Sequence, residues 1–171
     1  TGRQDQRAGL NILCILINKK HRRDQEFRLY RCHMANPIKV AVVGTGALGS
    51  QHVRLYAELA AAGDVTVVGI YDQNREAAAA LAKQYKVPVT ETLDDLVSKA
   101  EALSIVTPTV THFDLAKALL QQKKHVLVEK PMTETPAQAA ELVTLSHTHL
   151  RVLQVGHVER FNPVFQYLQE V

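Results

Sequence analysis

The chain has 171 residues, 46% of them hydrophobic, which is room for one ordinary domain with a full core and not comfortably for two. Its formal net charge of +3 is uneven, since residues 1–34 carry eight Lys/Arg against three Asp/Glu and residues 35–171 carry 12 against 14. Because the basic excess lies outside the predicted domain, the charge argues against a nucleic-acid partner. The apolar runs stay well short of the roughly 18 residues that a membrane-spanning helix needs.

The first segment, residues 1–34, differs in character from the rest. It lacks a clear helical or strand period and contains both cysteines, Cys14 and Cys32. Its apolar run, residues 10–17, has no small-residue cleavage site and is followed by more charge, which argues against a secretory signal. We expect upstream sequence or a disordered extension that carries no chemistry, with an Arg-rich transit peptide as the alternative. The cysteine-free remainder suits a reducing, cytoplasmic location.

From residue 35 onward, apolar runs typical of buried strands alternate with helical patterns, which indicates a parallel α/β sheet. The predicted strands cover residues 38–43, 65–71, 87–89, 103–106, 126–128 and 152–155. Four predicted helices cover residues 47–61, 74–85, 113–122 and 136–146. A fifth predicted helix is capped by Thr92. The expected fold is a doubly wound parallel sheet over residues 35–160, with residues 161–171 beginning a truncated second domain.

Three glycines follow the first predicted strand at once, as Gly44-Thr45-Gly46-Ala47-Leu48-Gly49. This strand–turn–helix context is what makes the spacing indicate a dinucleotide site, because the spacing alone is a weak signal. Gly44 permits the tight turn, Gly46 lets the backbone approach a pyrophosphate, and Gly49 lets the helix pack on its strand. The helix N-terminus then offers unpaired N–H groups to the phosphates. An ordinary glycine turn is the alternative.

An acidic residue ends the second predicted strand, where a dinucleotide site needs one. Asp72 lies 23 positions after Gly49, so its carboxylate can accept hydrogen bonds from the adenosine ribose diol. Its charge opposes a 2′-phosphate, which favours NAD over NADP, although Arg75 could partly offset that repulsion. Asp72 could also cap the following helix.

Two further motifs lie where the fourth and fifth predicted strands end, at the edge of a parallel sheet where ligands bind. The fourth strand leads into Thr107-Pro108-Thr109, with His112 three residues later, and the fifth leads into Glu129-Lys130-Pro131. A lysine whose pKa is lowered by partial burial could take or give the proton that accompanies hydride transfer. Pro131 would rigidify the turn, and a cis bond fits there.

Taken together and in this order, these motifs resemble the glucose–fructose oxidoreductase / inositol dehydrogenase (Gfo/Idh/MocA) family over about residues 37–165. The resemblance implies that Lys130 is a catalytic acid/base and that Glu129 contacts the nicotinamide ribose. It also implies cofactor contacts for the remaining motif residues, namely Thr107, Pro108, Thr109, His112 and Arg160, the last from Arg160-Phe161-x-Pro163.

The implied activity is that of an NAD(P)-dependent oxidoreductase that transfers hydride between nicotinamide and a ring hydroxyl of a sugar, cyclitol or nucleotide sugar. Residues 156–163 look most like those of members that act on nucleotide-linked amino sugars. Family members continue with a second domain that supplies most of the substrate pocket and usually the oligomer interface. We therefore expect the 171 residues alone to be inactive. The alternative is a non-catalytic dinucleotide-binding module or a truncated relic.

Simpler roles stay open for several of these side chains. Lys130 could be a solvated lysine, and His112 could only begin a helix. His157 could touch substrate or cap the last strand, and Arg160 could pair with a neighbouring glutamate. His125 precedes its strand at the opposite end of the sheet, so we expect it to be structural. His147 and His149 form no ligand set with a matching acidic residue nearby, and we expect no metal site.

Overall fold

The computed structural model describes residues 37–162 together with 164, 167 and 168. The expectations for residues 1–34, including both cysteines, lie outside the described residues. Five parallel strands form one sheet in the order β2-β1-β3-β4-β5. The strands are β1 Ile38–Val43, β2 Val65–Tyr71, β3 Ala102–Ile105, β4 His125–Val128 and β5 Leu153–Val155.

Five α-helices connect or flank the strands in the described part of the chain. They are α1 Ala47–Ala61, α2 Arg75–Tyr85, α3 Leu93–Lys99, α4 His112–Gln121 and α5 Pro136–Thr148, with 3₁₀ turns at Thr109–Thr111 and Val158–Phe161. The predicted cap of α3 is confirmed, because the Thr92 side chain accepts from the Asp95 N–H at 3.1 Å. Among the residues described, no helix is both long and apolar enough to cross a membrane.

The helices cover both faces of the sheet, which confirms the doubly wound fold. Successive residues of a strand point to opposite faces, so Val40 and Val42 pack with the helices α1 and α2, whereas Ala41 and Val43 pack with α3, α4 and α5. Each face therefore has its own apolar core. This explains why the strands read as continuous apolar runs instead of alternating ones.

The predicted strand at 87–89 is wrong, because the segment makes only an isolated bridge to β2. Val89 pairs with Ile70, whose N–H donates to the Pro88 carbonyl at 3.0 Å and whose carbonyl accepts from Thr90 at 3.1 Å. Pro88 has no N–H to donate, which limits how far the ladder extends. The crossover between β1 and β3 still creates the point where strand order reverses, and ligands bind at such points.

Candidate cofactor site

The glycine turn is built by close backbone contacts. A Cβ on Gly44, whose φ is +96°, would lie 2.4 Å from the Val106 carbonyl oxygen, and a Cβ on Gly49 would lie 2.2 Å from the Gly44 oxygen. These two positions therefore require glycine so that α1 and the end of β3 can approach the turn. A Cβ on Gly46, in contrast, would meet nothing within 4 Å. The space at Gly46 faces outward and is open to a ligand.

The start of α1 fits an anionic group such as a pyrophosphate. Gly46 is the N-cap residue and provides no side-chain cap, and the first turn contains no acidic residue. The first N–H groups of a helix have no partner within the helix and carry the positive end of its dipole. Ala47 and Leu48 are exposed there, whereas Thr45 is buried. These residues could hold the phosphates of a dinucleotide.

Asp72 is tied to the glycine turn by hydrogen bonds. Its Oδ2 accepts from the Thr45 N–H at 2.6 Å and from the Thr45 hydroxyl at 2.8 Å, and its Oδ1 accepts from the Asn74 N–H at 2.8 Å. Burial acts to raise the pKa of Asp72, but these hydrogen bonds outweigh it and hold the pKa below its ordinary value. Asp72 is therefore an anion placed beside the turn, where an adenosine ribose would meet it.

The helix-capping role considered for Asp72 belongs to Asn74. The Asn74 side chain caps α2 by accepting from the Ala77 N–H at 3.0 Å. Arg75, which was expected to offset the charge of Asp72, donates to the exposed carboxylate of Glu91 in this structure. Asp72 therefore bonds to Thr45 and Asn74, whereas Arg75 bonds to Glu91.

The ends of β3 and β4 are joined through His112. This side chain is 1% exposed, with Nδ1 at 2.9 Å from the Pro131 carbonyl oxygen and Nε2 at 2.8 Å from the Thr107 carbonyl oxygen. A carbonyl only accepts, so a neutral ring satisfies one contact and an imidazolium satisfies both. The hydroxyls of Thr107 and Thr111 lie 2.6 Å apart, next to the exposed Pro108. His112 thus has a structural contact, and its cofactor role stays a prediction.

The motif after β4 separates its two charged side chains. Glu129 is buried and lies against the protein, whereas Lys130 is exposed, and the Lys130–Pro131 peptide bond is cis, as the sequence analysis anticipated. The described residues leave the Lys130 side chain exposed, which corresponds to the solvated lysine that the sequence analysis kept open. Its catalytic role stays a prediction.

His52 is the residue that the sequence analysis missed. It lies on α1 three positions after Gly49, and its Nε2 is 3.0 Å from Oε1 of Glu129. The neighbouring positions Val53 and Tyr56 are buried on the same helix. A histidine on the buried side of the helix that begins at the glycine turn was the available signal.

Two predicted site residues after β5, His157 and Arg160, have no side-chain hydrogen bond to the residues above in the described part of the chain. His157 and Arg160 are exposed, in and beside the turn Val158–Phe161, and their predicted roles stay predictions. His125 begins β4, where its Nδ1 accepts from the Val152 N–H at 3.1 Å, which agrees with a structural role. Within the described residues, the contacts at the carboxyl ends of the strands form three separate groups: Thr45 with Asp72, His112 with Thr107 and Pro131, and His52 with Glu129, which packs on Gly156.

The fold and the glycine turn define a dinucleotide-binding domain of the Rossmann type. Residues 38–157 match the model of the Gfo/Idh/MocA family, which is described as an oxidoreductase family with an NAD-binding Rossmann fold. The chain belongs to this family, so the resemblance stated from the sequence is confirmed.

Similar proteins include several sugar and cyclitol dehydrogenases. The chain is 35% identical over 133 residues to UDP-N-acetylglucosamine 3-dehydrogenase from Acidithiobacillus ferrooxidans, which covers 78% of this chain and 41% of that protein. It is 34% identical over 131 residues to inositol 2-dehydrogenase 1 from Saccharopolyspora erythraea, covering 75% of this chain and 39% of that protein. The chain thus spans about two fifths of the length of these relatives.

Solved structures agree with this assignment. The structure of the Acidithiobacillus ferrooxidans enzyme matches with a TM-score of 0.72 at 34% identity, over 78% of this chain and 42% of that one. The structure of GenD2 from gentamicin A biosynthesis in complex with NAD matches with a TM-score of 0.64 at 31% identity, over 72% of this chain and 35% of that one. Both likenesses lie in the cofactor-binding part of the fold.

Proposed function

We propose that this chain is the cofactor-binding part of an NAD-dependent dehydrogenase that acts on a ring hydroxyl of a sugar, cyclitol or nucleotide sugar. The observation that carries the proposal is the open space at Gly46 beside an uncapped helix start, with the ionised Asp72 bonded to the same turn. Pyrophosphate and adenosine ribose need these two features at this separation along the sheet edge.

In this proposal the N–H groups of residues 46–48 bind the pyrophosphate, Thr45 holds Asp72 beside them, and Asp72 accepts from the adenosine ribose hydroxyls. The negative charge of Asp72 disfavours a 2′-phosphate, which supports NAD over NADP. Because Arg75 has Glu91 as its partner, little positive charge is left to offset that repulsion. The cofactor preference is thus assigned to Asp72.

The catalytic step is assigned to the motif after β4. A bound nicotinamide supplies hydride transfer, and the chain must supply the accompanying proton movement. The exposed Nζ of Lys130 takes the proton from the substrate hydroxyl when the alcohol is oxidised and returns it in the reverse direction. Glu129 accepts a hydrogen bond from the nicotinamide-side ribose and so orients it beside Lys130.

The substrate class is supported by the relatives, whose names specify UDP-N-acetylglucosamine and inositol. Since the chain spans about two fifths of their length, we infer that further residues are needed to complete the substrate pocket. A cytoplasmic location, which the absence of cysteine from residues 35–171 supports, and a homo-oligomeric parent protein, which the family resemblance implies, belong to the same proposal.

Calorimetric titration of the 171-residue chain with NADH, and separately with NADPH, tests the cofactor assignment. Saturable binding of both, with NADH tighter by about tenfold or more, is expected from one unfavourable charge contact with the 2′-phosphate. Tighter binding of NADPH would refute the role of Asp72, and binding of neither would refute the proposed function for this chain.

A further inference from the structure

His52 and Glu129 connect the helix of the glycine turn to the motif that contains Lys130. They are 77 positions apart in the sequence, yet His52 Nε2 lies 3.0 Å from Glu129 Oε1. Their side chains are only 12% and 8% exposed, so solvent screens the contact weakly. The pair therefore fixes the position of α1 relative to the end of β4.

The Glu129 carboxylate has two further contacts. The Lys130 N–H donates to Oε2 at 3.2 Å. A Cβ on Gly156 would lie 2.6 Å from Oε1 and 2.9 Å from Oε2, so the carboxylate packs directly on the glycine backbone after β5. Three elements thus form a seat for the Glu129 carboxylate, whose side chain keeps 8% of its surface exposed to a ligand.

The protonation of His52 follows from its surroundings. Burial lowers the pKa of His52, and the negative charge of Glu129 only partly opposes this. A neutral ring has one N–H, which Nε2 donates to Glu129, so Nδ1 is an acceptor. Nδ1 is buried and has no hydrogen-bond partner among the described residues. An unpaired buried acceptor is unfavourable for stability, and such costs are found most often at functional positions.

We propose that His52 is a positioning residue that holds the Glu129 carboxylate in its seat, so that Glu129 can bind the nicotinamide-side ribose of the dinucleotide. This inference rests on the proposed function. His52 acts only through Glu129, and its effect is confined to the half of the cofactor beyond the pyrophosphate. The adenosine half is assigned to the glycine turn and Asp72, and among the described residues neither side chain of the pair is hydrogen-bonded to them.

The test uses a matched pair of variants in the 171-residue chain. Gln in His52→Gln keeps an N–H donor at a similar reach, whereas Met in His52→Met has a similar length and no donor. NADH probes both halves of the site, and ADP probes only the adenosine half. We expect His52→Met to weaken NADH binding by about tenfold with ADP binding unchanged, and His52→Gln to stay within about threefold of the wild type for both.

A double-mutant cycle with Glu129→Met, which removes both carboxylate oxygens, decides whether His52 acts through Glu129. We expect the additional effect of His52→Met on NADH binding to vanish in the Glu129→Met background, because the acceptor is already lost. Undiminished NADH binding by His52→Met, or an equal effect in both backgrounds, overturns the inference. If His52→Met also loses ADP binding, His52 is structural and the inference fails. A wild-type chain that binds ADP but not NADH refutes the proposed function as well, which separates the two failures.

Discussion

The two glycines Gly46 and Gly49 should respond in opposite ways to the same substitution. In Gly46→Ala the new Cβ meets nothing within 4 Å, and the backbone at φ −62° and ψ −168° is open to any residue. Restricting the unfolded chain contributes about 0.4–1 kcal/mol of stability, and losing glycine as N-cap costs a similar amount. The free energy of unfolding should therefore change by less than about 1 kcal/mol.

The same methyl group occupies the space that a pyrophosphate must enter. Losing one charge-assisted hydrogen bond to a phosphate costs about 1.5–3 kcal/mol, so Gly46→Ala should weaken NADH binding by about 10- to 100-fold. In Gly49→Ala the Cβ would lie 2.2 Å from the Gly44 carbonyl oxygen, and neither group can rotate away. Overpacking of this kind should destabilise the fold by about 1–3 kcal/mol or more even without ligand.

Urea unfolding of the ligand-free variants and calorimetric titration with NADH separate the two effects. The account predicts a stable, weakly binding Gly46→Ala and a destabilised Gly49→Ala. A Gly46→Ala chain that binds NADH as tightly as the wild type would refute the assignment of this space to the pyrophosphate. An equal loss of stability in both variants would refute the distinction between a ligand-facing and a packing glycine.

Three other substitutions test separate parts of the account. Asp72→Ala should weaken NADH binding by about tenfold and narrow the preference over NADPH, measured by titration, whereas Glu76→Ala in the first turn of α2 should leave the ratio unchanged. Lys130→Ala, in a form of the protein that turns over substrate, should reduce turnover by about 100-fold or more while cofactor affinity stays nearly intact, and normal turnover would rule out Lys130 as the proton carrier. Tyr56→Phe leaves the buried Ser104 hydroxyl without its 2.8 Å partner and should cost about 1–2 kcal/mol in urea unfolding at neutral pH. Burial raises the pKa of Tyr56 to about 12, against the weaker opposing effect of its hydrogen bond to Ser104. The contribution of Tyr56 to stability should therefore be lost as pH rises from 10 toward 12. If Tyr56→Phe loses as much free energy of unfolding over this pH range as the wild type, this reasoning is contradicted.

The parts of the site that the sequence predicted are those that depend on local geometry. Gly44, Gly46 and Gly49 follow a strand directly, and Asp72 ends the next strand, so their positions along the sheet edge follow from chain direction alone. The cis bond before Pro131 lies in the same class, because proline makes that isomer accessible. These features need no knowledge of distant contacts.

The features that the sequence analysis missed depend on contacts between distant segments. His52 and Glu129 are in contact, but they are 77 positions apart and no helix or strand periodicity relates them. The predicted strand at 87–89 is the exception, because Pro88 lies within the run and its lack of an N–H, which limits the ladder, can be read from the sequence. The exposure of Lys130 depends on which side chains cover it, and that is a tertiary property.

The most direct test of the central claim is the location of bound NADH on the chain. In ¹H–¹⁵N spectra of the labelled chain, the account predicts that saturating NADH shifts the amide signals of Thr45, Gly46, Ala47 and Leu48 most strongly, together with that of Asp72. Shifts confined to another part of the described domain, or none at saturation, would contradict the assignment of a dinucleotide site to the glycine turn.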